Sequence, residues 1–189
     1  MPAGIPSGLP PPGSIAEGVP VYSAVMYNGL PGEIVIRLKF NGEKYLAEVA
    51  ADLIMRYSMK LPASNDILVP VPASKRRKKE RGYNQAILIA LKLASVTGCR
   101  SLNILSKDES PSQVGLSPSR RRKNVSGIFH LKSGKRLPPE TDVWLVDDVA
   151  TTCSTIDSAS KVLLDSGART VTGLSLTYRK KMTDSIIQL

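Results

Sequence analysis

The sequence predicts an α/β fold on a parallel sheet, from three observations. Segments with strand character alternate with segments of helical periodicity along most of the chain. Two of the strand segments, Asp66–Pro72 and Val143–Val146, are short and wholly apolar between their polar ends, as expected of strands buried on both faces of a parallel sheet. The 189 residues, 42% of them apolar, suffice for one domain with its own core. No internal repeat is visible.

Residues 1–20 are rich in proline and glycine, including Pro10-Pro11-Pro12-Gly13, and read as an unstructured or loosely docked tail. Patterning begins at Val21, so residues 21–189 are expected to form the domain. Val21–Met26 reads as a strand. Glu33–Phe40 reads as a short helix with Ile34, Val35 and Leu38 inward. Glu43–Tyr57 is a stronger helix, with Leu46, Val49, Ala50, Leu53 and Tyr57 at helical spacing. The prolines end the Asp66–Pro72 strand. Asn84–Val96 reads as a helix with Ile87, Ala90, Leu91 and Ala94 on one stripe, N-capped by Asn84 and stopped at Gly98. Leu102–Leu105 reads as a short strand. Residues 106–126 lose periodicity, and a loop that long in a compact domain is usually functional or disordered. Gly127–Leu131 reads as a strand, Gly134–Thr141 as a turn, Val143–Val146 as a strand, Thr155–Leu164 as a helix stopped at Gly167, and Thr170–Thr177 as the last strand. Trp144 is expected in the core, and His130 is expected to be structural.

The net charge of +10 and pI near 9.8 point to polyanionic partners or to a solvated basic surface. Cys99 and Cys153 lie far apart without metal-ligand spacing, and His130 is the single histidine. A zinc site and a disulfide framework are therefore not expected, and a reduced, cytoplasmic setting is. No apolar run approaches the roughly 20 residues of a bilayer span, and no signal peptide is indicated.

The chemistry concentrates after the Val143–Val146 strand. Asp147 and Asp148 sit at its carboxyl end, where ligands bind in open α/β sheets. Adjacent carboxylates repel each other and call for a partner, and one carboxylate can accept from both hydroxyls of a ribose diol. Thr151, Thr152, Cys153, Ser154 and Thr155 follow, a hydroxyl-rich turn opening a helix, which is the geometry that holds a phosphate. The alternative for such an acidic pair is helix capping or metal binding.

This run resembles the phosphoribosyl-pyrophosphate (PRPP) motif of type I phosphoribosyltransferases. Val69-Pro-Val-Pro72, Arg81–Gln85, Gln113–Leu116, Arg120–Asn124 and Gly127–Phe129 resemble, in order, blocks of the ComF/GntX-like competence-protein branch, so that the resemblance covers roughly residues 21–180. It implies a Rossmann-like fold with a flexible loop over residues 106–126 and a small N-terminal hood over residues 21–60. Asp147 and Asp148 would hold the ribose, Thr151–Thr155 would cradle the 5′-phosphate, and Ala73, Ser74, Lys75 and Arg76 would face pyrophosphate. Gln113, Arg120 and Arg121 would belong to the closing loop. Mg²⁺ would be held mainly through PRPP, with no direct protein ligand assigned, and a nitrogen nucleophile would displace pyrophosphate.

Two departures stand out. Many members of the branch carry an N-terminal four-cysteine zinc ribbon, which this sequence is expected to lack. Cys153 occupies the position where the motif has glycine, and glycine there tolerates positive φ and close approach to phosphate. Cys153 is expected to weaken phosphate binding, and it is either an inert buried thiol or a thiolate activated by the helix N-terminus.

Two basic runs, Lys75–Lys79 with Arg81 and Arg120–Lys123, hold more charge than pyrophosphate needs. Lys78, Lys79, Arg81, Arg122 and Lys123 are candidates for contacts to single-stranded nucleic acid, with a solvated rim as the alternative. Tyr83 is the one aromatic beside a basic run, and stacking platforms are otherwise scarce. Three readings stay open: a phosphoribosyltransferase with an unknown acceptor, a non-catalytic PRPP- and DNA-binding accessory protein, and a nucleic-acid-binding protein with a vestigial site.

Overall fold

The structure, a computed structural model, describes residues 14–16, 18–109 and 128–179. Its centre is a six-stranded sheet in the order β1-β2-β8-β7-β3-β4. The strands are β1 (Ser14–Ala16), β2 (Val19–Met26), β3 (Ile67–Pro70), β4 (Arg100–Ser101), β7 (Thr141–Ala150) and β8 (Ala168–Tyr178). Every pairing is parallel except that of β1 with β2. A separate two-stranded antiparallel sheet joins β5 (Leu105–Lys107) to β6 (Phe129–Leu131).

Side chains of β7 point alternately to the two faces, and both faces are covered. Trp144 and Val146 pack under α1 (Gly29–Phe40), α2 (Leu46–Tyr57) and α4 (Gln85–Thr97). Val143 and Leu145 pack against Ile156, Ala159 and Leu163 of α5 (Ser154–Asp165). Burial on both sides is why this strand reads as an unbroken apolar run. Trp144 is core, as expected, and its Nε1 donates to Asp66 Oδ2 at 2.9 Å.

Several elements depart from expectation. The residue 1–20 tail is shorter, because Ser14–Ala16 pairs with Val19–Val21 and Val19 is buried; residues 1–13 lie outside the described residues. The strand expected over Leu102–Leu105 is instead mostly the link between β4 and β5, residues 102–104 lying in neither, and the Leu102 amide donates to Leu68 O. In α4 the buried stripe is Ala86, Ile89, Ala90 and Leu93, while Leu91 is exposed. In α2 it is Ala47, Ala50, Ala51 and Ile54, with Val49 outward. Both helices carry apolar residues on more than one side, so spacing alone admits two phases. Glu43, expected to open α2, instead accepts from Arg37 Nε at 2.9 Å and from the Tyr45 hydroxyl.

The main addition is α3 (Lys75–Arg81), expected as loop. All seven residues are charged, so no apolar period marks it. Its ends do: the Ser74 hydroxyl accepts from the Arg77 amide, and Gly82 closes the helix at φ 76°. Tyr83 beside it is not a stacking platform, because it is buried and its hydroxyl donates to Leu38 O.

Candidate functional site

A cavity of about 370 Å³ opens at the carboxyl ends of β3 and β7. Asp147 and Asp148 form part of its wall. Both lie within β7, which runs on to Ala150, with Asp147 opposite Ser175 and Val149 opposite Thr177 of β8. Asp148 is 3% exposed. Its Oδ2 lies 2.7 Å from Lys39 Nζ of α1 and accepts from Gln85 Nε2 at 3.4 Å, while Gln85 Oε1 accepts from Arg81. Asp147 Oδ1 accepts from the Asp148 amide at 2.8 Å.

The turn after β7 places Thr151 and Thr155 on the cavity wall. Thr152 and Ser154 are exposed beside it, their hydroxyls 3.0 Å apart. Cys153 caps α5 in the left-handed region, φ 56°, the conformation that favours glycine. Its thiol is buried, and burial with the charges of Asp157 and Asp147 pushes it up to about 11. Burial and these carboxylates favour the neutral thiol, the direction of the buried-thiol alternative and not of the activated thiolate.

The opposite wall takes two of the four residues expected there. Ala73 and Ser74 line the cavity. Arg76 does not: its amide donates to Glu109 and its guanidinium lies 3.8 Å from Glu80. Lys75 faces a neighbouring recess. Because residues 75–81 are helical, it is Arg77 and Arg81, one turn apart, that reach the cavity. Lys79 is exposed and Lys78 faces the recess with Lys75. Gln113, Arg120, Arg121, Arg122 and Lys123 lie outside the described residues.

Sequence reasoning missed Lys39, Lys107 and Arg179. Lys107 ends β5, and burial together with Arg77 lowers its pKa. Arg179 follows β8 and stacks over the Tyr27 ring at 5.1 Å. Nothing in their local sequence points to the cavity, since they are delivered by elements far apart in the chain. The cavity thus gathers five cations, Lys39, Arg77, Arg81, Lys107 and Arg179, against two carboxylates.

Known proteins are similar to this chain in sequence. The chain is 32% identical over 183 residues to DNA utilization protein YhgH of Salmonella typhi, covering 89% of this chain and 78% of that one. It is 31% identical over 165 residues to Competence protein ComFC of Streptococcus pneumoniae, covering 85% and 70%. The chain belongs to the ComF/GntX-like competence-protein family. Competence protein F of Haemophilus influenzae is 32% identical over 148 residues, a match that spans 63% of that protein's length. No family model matches the chain. Among solved structures it is similar to orotate phosphoribosyltransferase from Aeropyrum pernix, at 20% identity over 74% of this chain and 63% of that one, with a TM-score of 0.44. Adenine phosphoribosyltransferase from Leishmania tarentolae gives 16% identity over 75% and 72%, with a TM-score of 0.41.

Two ComF-like blocks distant in sequence meet at the cavity. Val71 O accepts from Asn84 Nδ2 at 2.9 Å, which ties the loop after β3 to the start of α4 and leaves Gln85 against Asp148. Asn84 also caps α4 through the Ala86 amide, so the same residue serves helix and site.

Burial and the Asp148 charge push the Asp147 carboxyl well above its ordinary 3.8, with Lys39 pulling the other way. The folded chain therefore keeps a proton that the unfolded chain loses above about that pH. Stability from this group falls as pH rises from 3.8 through the raised folded value. Asp147→Asn, which keeps an acceptor for the Asp148 amide, is expected to melt above wild type at neutral pH. The gain should vanish as pH falls toward 3.8. Equal melting temperatures at neutral pH would show that Asp147 carries no such penalty.

Proposed function

We propose that this chain is a phosphoribosyltransferase-like competence protein that binds PRPP with Mg²⁺, the diphosphate being displaced by a nitrogen nucleophile. The observation that carries this reading is the composition of the cavity: five cations around an adjacent carboxylate pair of which Asp148 is buried, beside a left-handed turn opening a helix. PRPP has the matching chemistry, two phosphate-bearing ends on either side of a diol. In this reading Asp148 accepts from the ribose hydroxyls. Thr151 and Thr155, with the free amides at the start of α5, hold the 5′-phosphate. Ser74, Arg77 and Lys107 face the diphosphate.

The donor set fits a cation bound through the substrate. Among the described residues no three His, Cys, Asp or Glu form a metal-holding group, and Mg²⁺ retains waters and takes few protein ligands when phosphate oxygens are present. When bound, Mg²⁺ would neutralise charge on the leaving diphosphate. The chain's own part in the step is electrostatic. The bond from the anomeric carbon to the diphosphate oxygen breaks and its electron pair leaves with the diphosphate. Arg77 and Lys107 stand where that negative charge grows. The nitrogen forms the new bond and loses its proton.

Calorimetry with PRPP and Mg²⁺ tests the binding. Wild type is expected to bind, and Cys153→Gly to bind about fivefold tighter, a gain of about 1 kcal/mol, because without a β-carbon the backbone of the turn comes closer to phosphate. Unchanged affinity in Cys153→Gly would show that the turn accommodates the thiol without loss. No binding by either protein would remove the phosphoribosyl reading.

A second reading, a non-catalytic accessory protein that handles PRPP and single-stranded DNA, is favoured by the relatives named for competence and DNA utilization. Release of pyrophosphate from PRPP over a panel of bases and amines separates the two. Among the described residues no helix is long and apolar enough to cross a membrane.

A further inference from the structure

The phosphoribosyl cavity does not end the positive surface. A recess of about 210 Å³ adjoins it, sharing Pro72, Ala73, Asn84 and Lys107 as common wall. A third, of about 530 Å³, shares Asn103 and Lys132 with the second. The three form one trough running from α3 past β5 to the turn after β6. Among the described residues the two recesses are lined by seven cations, Lys75, Lys78, Arg100, Lys107, Lys132, Lys135 and Arg136, of which Lys107 also lines the first cavity, and by no Asp or Glu. Lys132 stands at the joint, held by neutral acceptors: its Nζ donates to Asn103 O at 3.0 Å and to Asn103 Oδ1 at 2.6 Å.

We propose that this trough binds the sugar-phosphate backbone of a single-stranded nucleic acid, with the strand leading to the phosphoribosyl cavity past Lys107. The proposal gives a place to the strand in the accessory-protein reading above, and it rests on that reading for the nature of the polymer.

Seven cations gathered with no described carboxylate among them repel one another, and half-buried Lys107 and Lys132 are screened by water less than the five exposed ones. Burial and the neighbouring Lys78 and Lys135 lower the pKa of Lys132, the direction expected where a cation lacks an opposite charge. One small anion satisfies one recess. A chain of phosphates satisfies all of them in succession. Lys107 and Lys132 are half-buried among the exposed cations, within reach of a strand that enters the trough, whereas a duplex carries its phosphates on a broad convex surface. Among the described residues no aromatic side chain lines either recess, so the contacts expected are to backbone and independent of base.

The basic runs conspicuous in sequence supply only Lys75 and Lys78 here. Arg100, Lys107, Lys132, Lys135 and Arg136 come from β4, from β5 and from the turn after β6, outside those two runs.

The test is fluorescence anisotropy of the full chain with a labelled oligothymidylate across a salt series. Wild type is expected to bind, with affinity falling steeply as salt rises. The double variant Lys135→Gln, Arg136→Gln changes two exposed side chains that do not line the phosphoribosyl cavity. Its log–log salt slope should be shallower by about 1.4, about 0.7 for each phosphate no longer neutralised, and its low-salt affinity about tenfold weaker. Lys79→Gln, which lines neither recess, should change the slope less, and PRPP calorimetry should read the same in both variants and wild type. An oligoadenylate should bind as oligothymidylate does. An unchanged slope in the double variant, with wild type still binding, would overturn the trough while leaving DNA handling in place. No wild-type binding at low salt would overturn both. Equal or tighter binding of duplex, or displacement of the oligonucleotide by equimolar tripolyphosphate, would overturn the assignment to a single strand.

Discussion

Asp148→Asn is expected to weaken PRPP binding by about 100-fold while leaving the protein folded. Asn keeps the size of Asp148 and an oxygen toward Gln85, so packing changes little. What it loses is charge. A carboxylate that accepts from two ribose hydroxyls makes two charge-assisted hydrogen bonds, each about 1.5–3 kcal/mol stronger than none, and an amide oxygen replaces them with weaker ones. Losing about 3 kcal/mol corresponds to about two orders of magnitude in affinity. The variant also deprives Lys39, 2.7 Å away, of its counter-charge. Calorimetry measures the affinity, and a thermal melt shows whether the fold survives. If Asp148→Asn binds PRPP as wild type does, the pair is structural and the ribose assignment is wrong. Lys39→Met is the useful companion: it removes the ion pair and keeps the carboxylate, so it separates loss of the pair from loss of the ribose contact.

The largest effect on stability is expected from Gly173→Val. Gly173 lies mid-strand in β8, opposite Val21 of β2 on one side and Leu145 of β7 on the other. A β-carbon there would stand 3.0 Å from Ile156 Cδ1 and 3.0 Å from Val21 Cγ2. Two further methyl groups have no space without moving α5 off the sheet. Overpacking of this kind costs about 3 kcal/mol, a fall of about 6 to 12 °C in melting temperature for a chain of this size. Ile156→Val removes the methyl that is nearest on the helix side. In a double-mutant cycle it should recover part of the loss, and strictly additive effects would place the strain elsewhere. Because α5 begins at the phosphate turn, displacing it should also weaken PRPP binding. Stability and affinity are thus expected to fall together in Gly173→Val and apart in Asp148→Asn.

The parts legible in sequence are those where one physical demand acts on neighbouring residues. Strands β3 and β7 are buried on both faces, so each shows as an apolar run. The acid pair and the hydroxyl turn are contiguous because a strand end and a helix start are contiguous. The positive φ of Cys153 is readable from the glycine expected there. The parts not legible depend on long-range placement or on charge. Helix α3 has no apolar side to announce it, and only Ser74 and Gly82 mark its ends. Reading it as a loop puts Lys75 and Arg76 at the cavity in place of Arg77 and Arg81. The partner of Asp148 could not be found from its own surroundings, since Lys39 arrives on a helix from another part of the chain. Asp108 likewise approaches His130 to 3.5 Å only because β5 and β6 are paired.

The continuation of β7 through Asp147 and Asp148 to Ala150, in register with β8 as far as Tyr178, has a consequence for how the site meets a ligand. The carboxylates are fixed by the same ladder that forms the centre of the sheet, so the entropy of ordering them is spent in folding and not in binding. The turn from Thr151 to Cys153 has no such ladder. The site is therefore divided into a preorganised half that sets position and an adaptable half that closes on what it finds there.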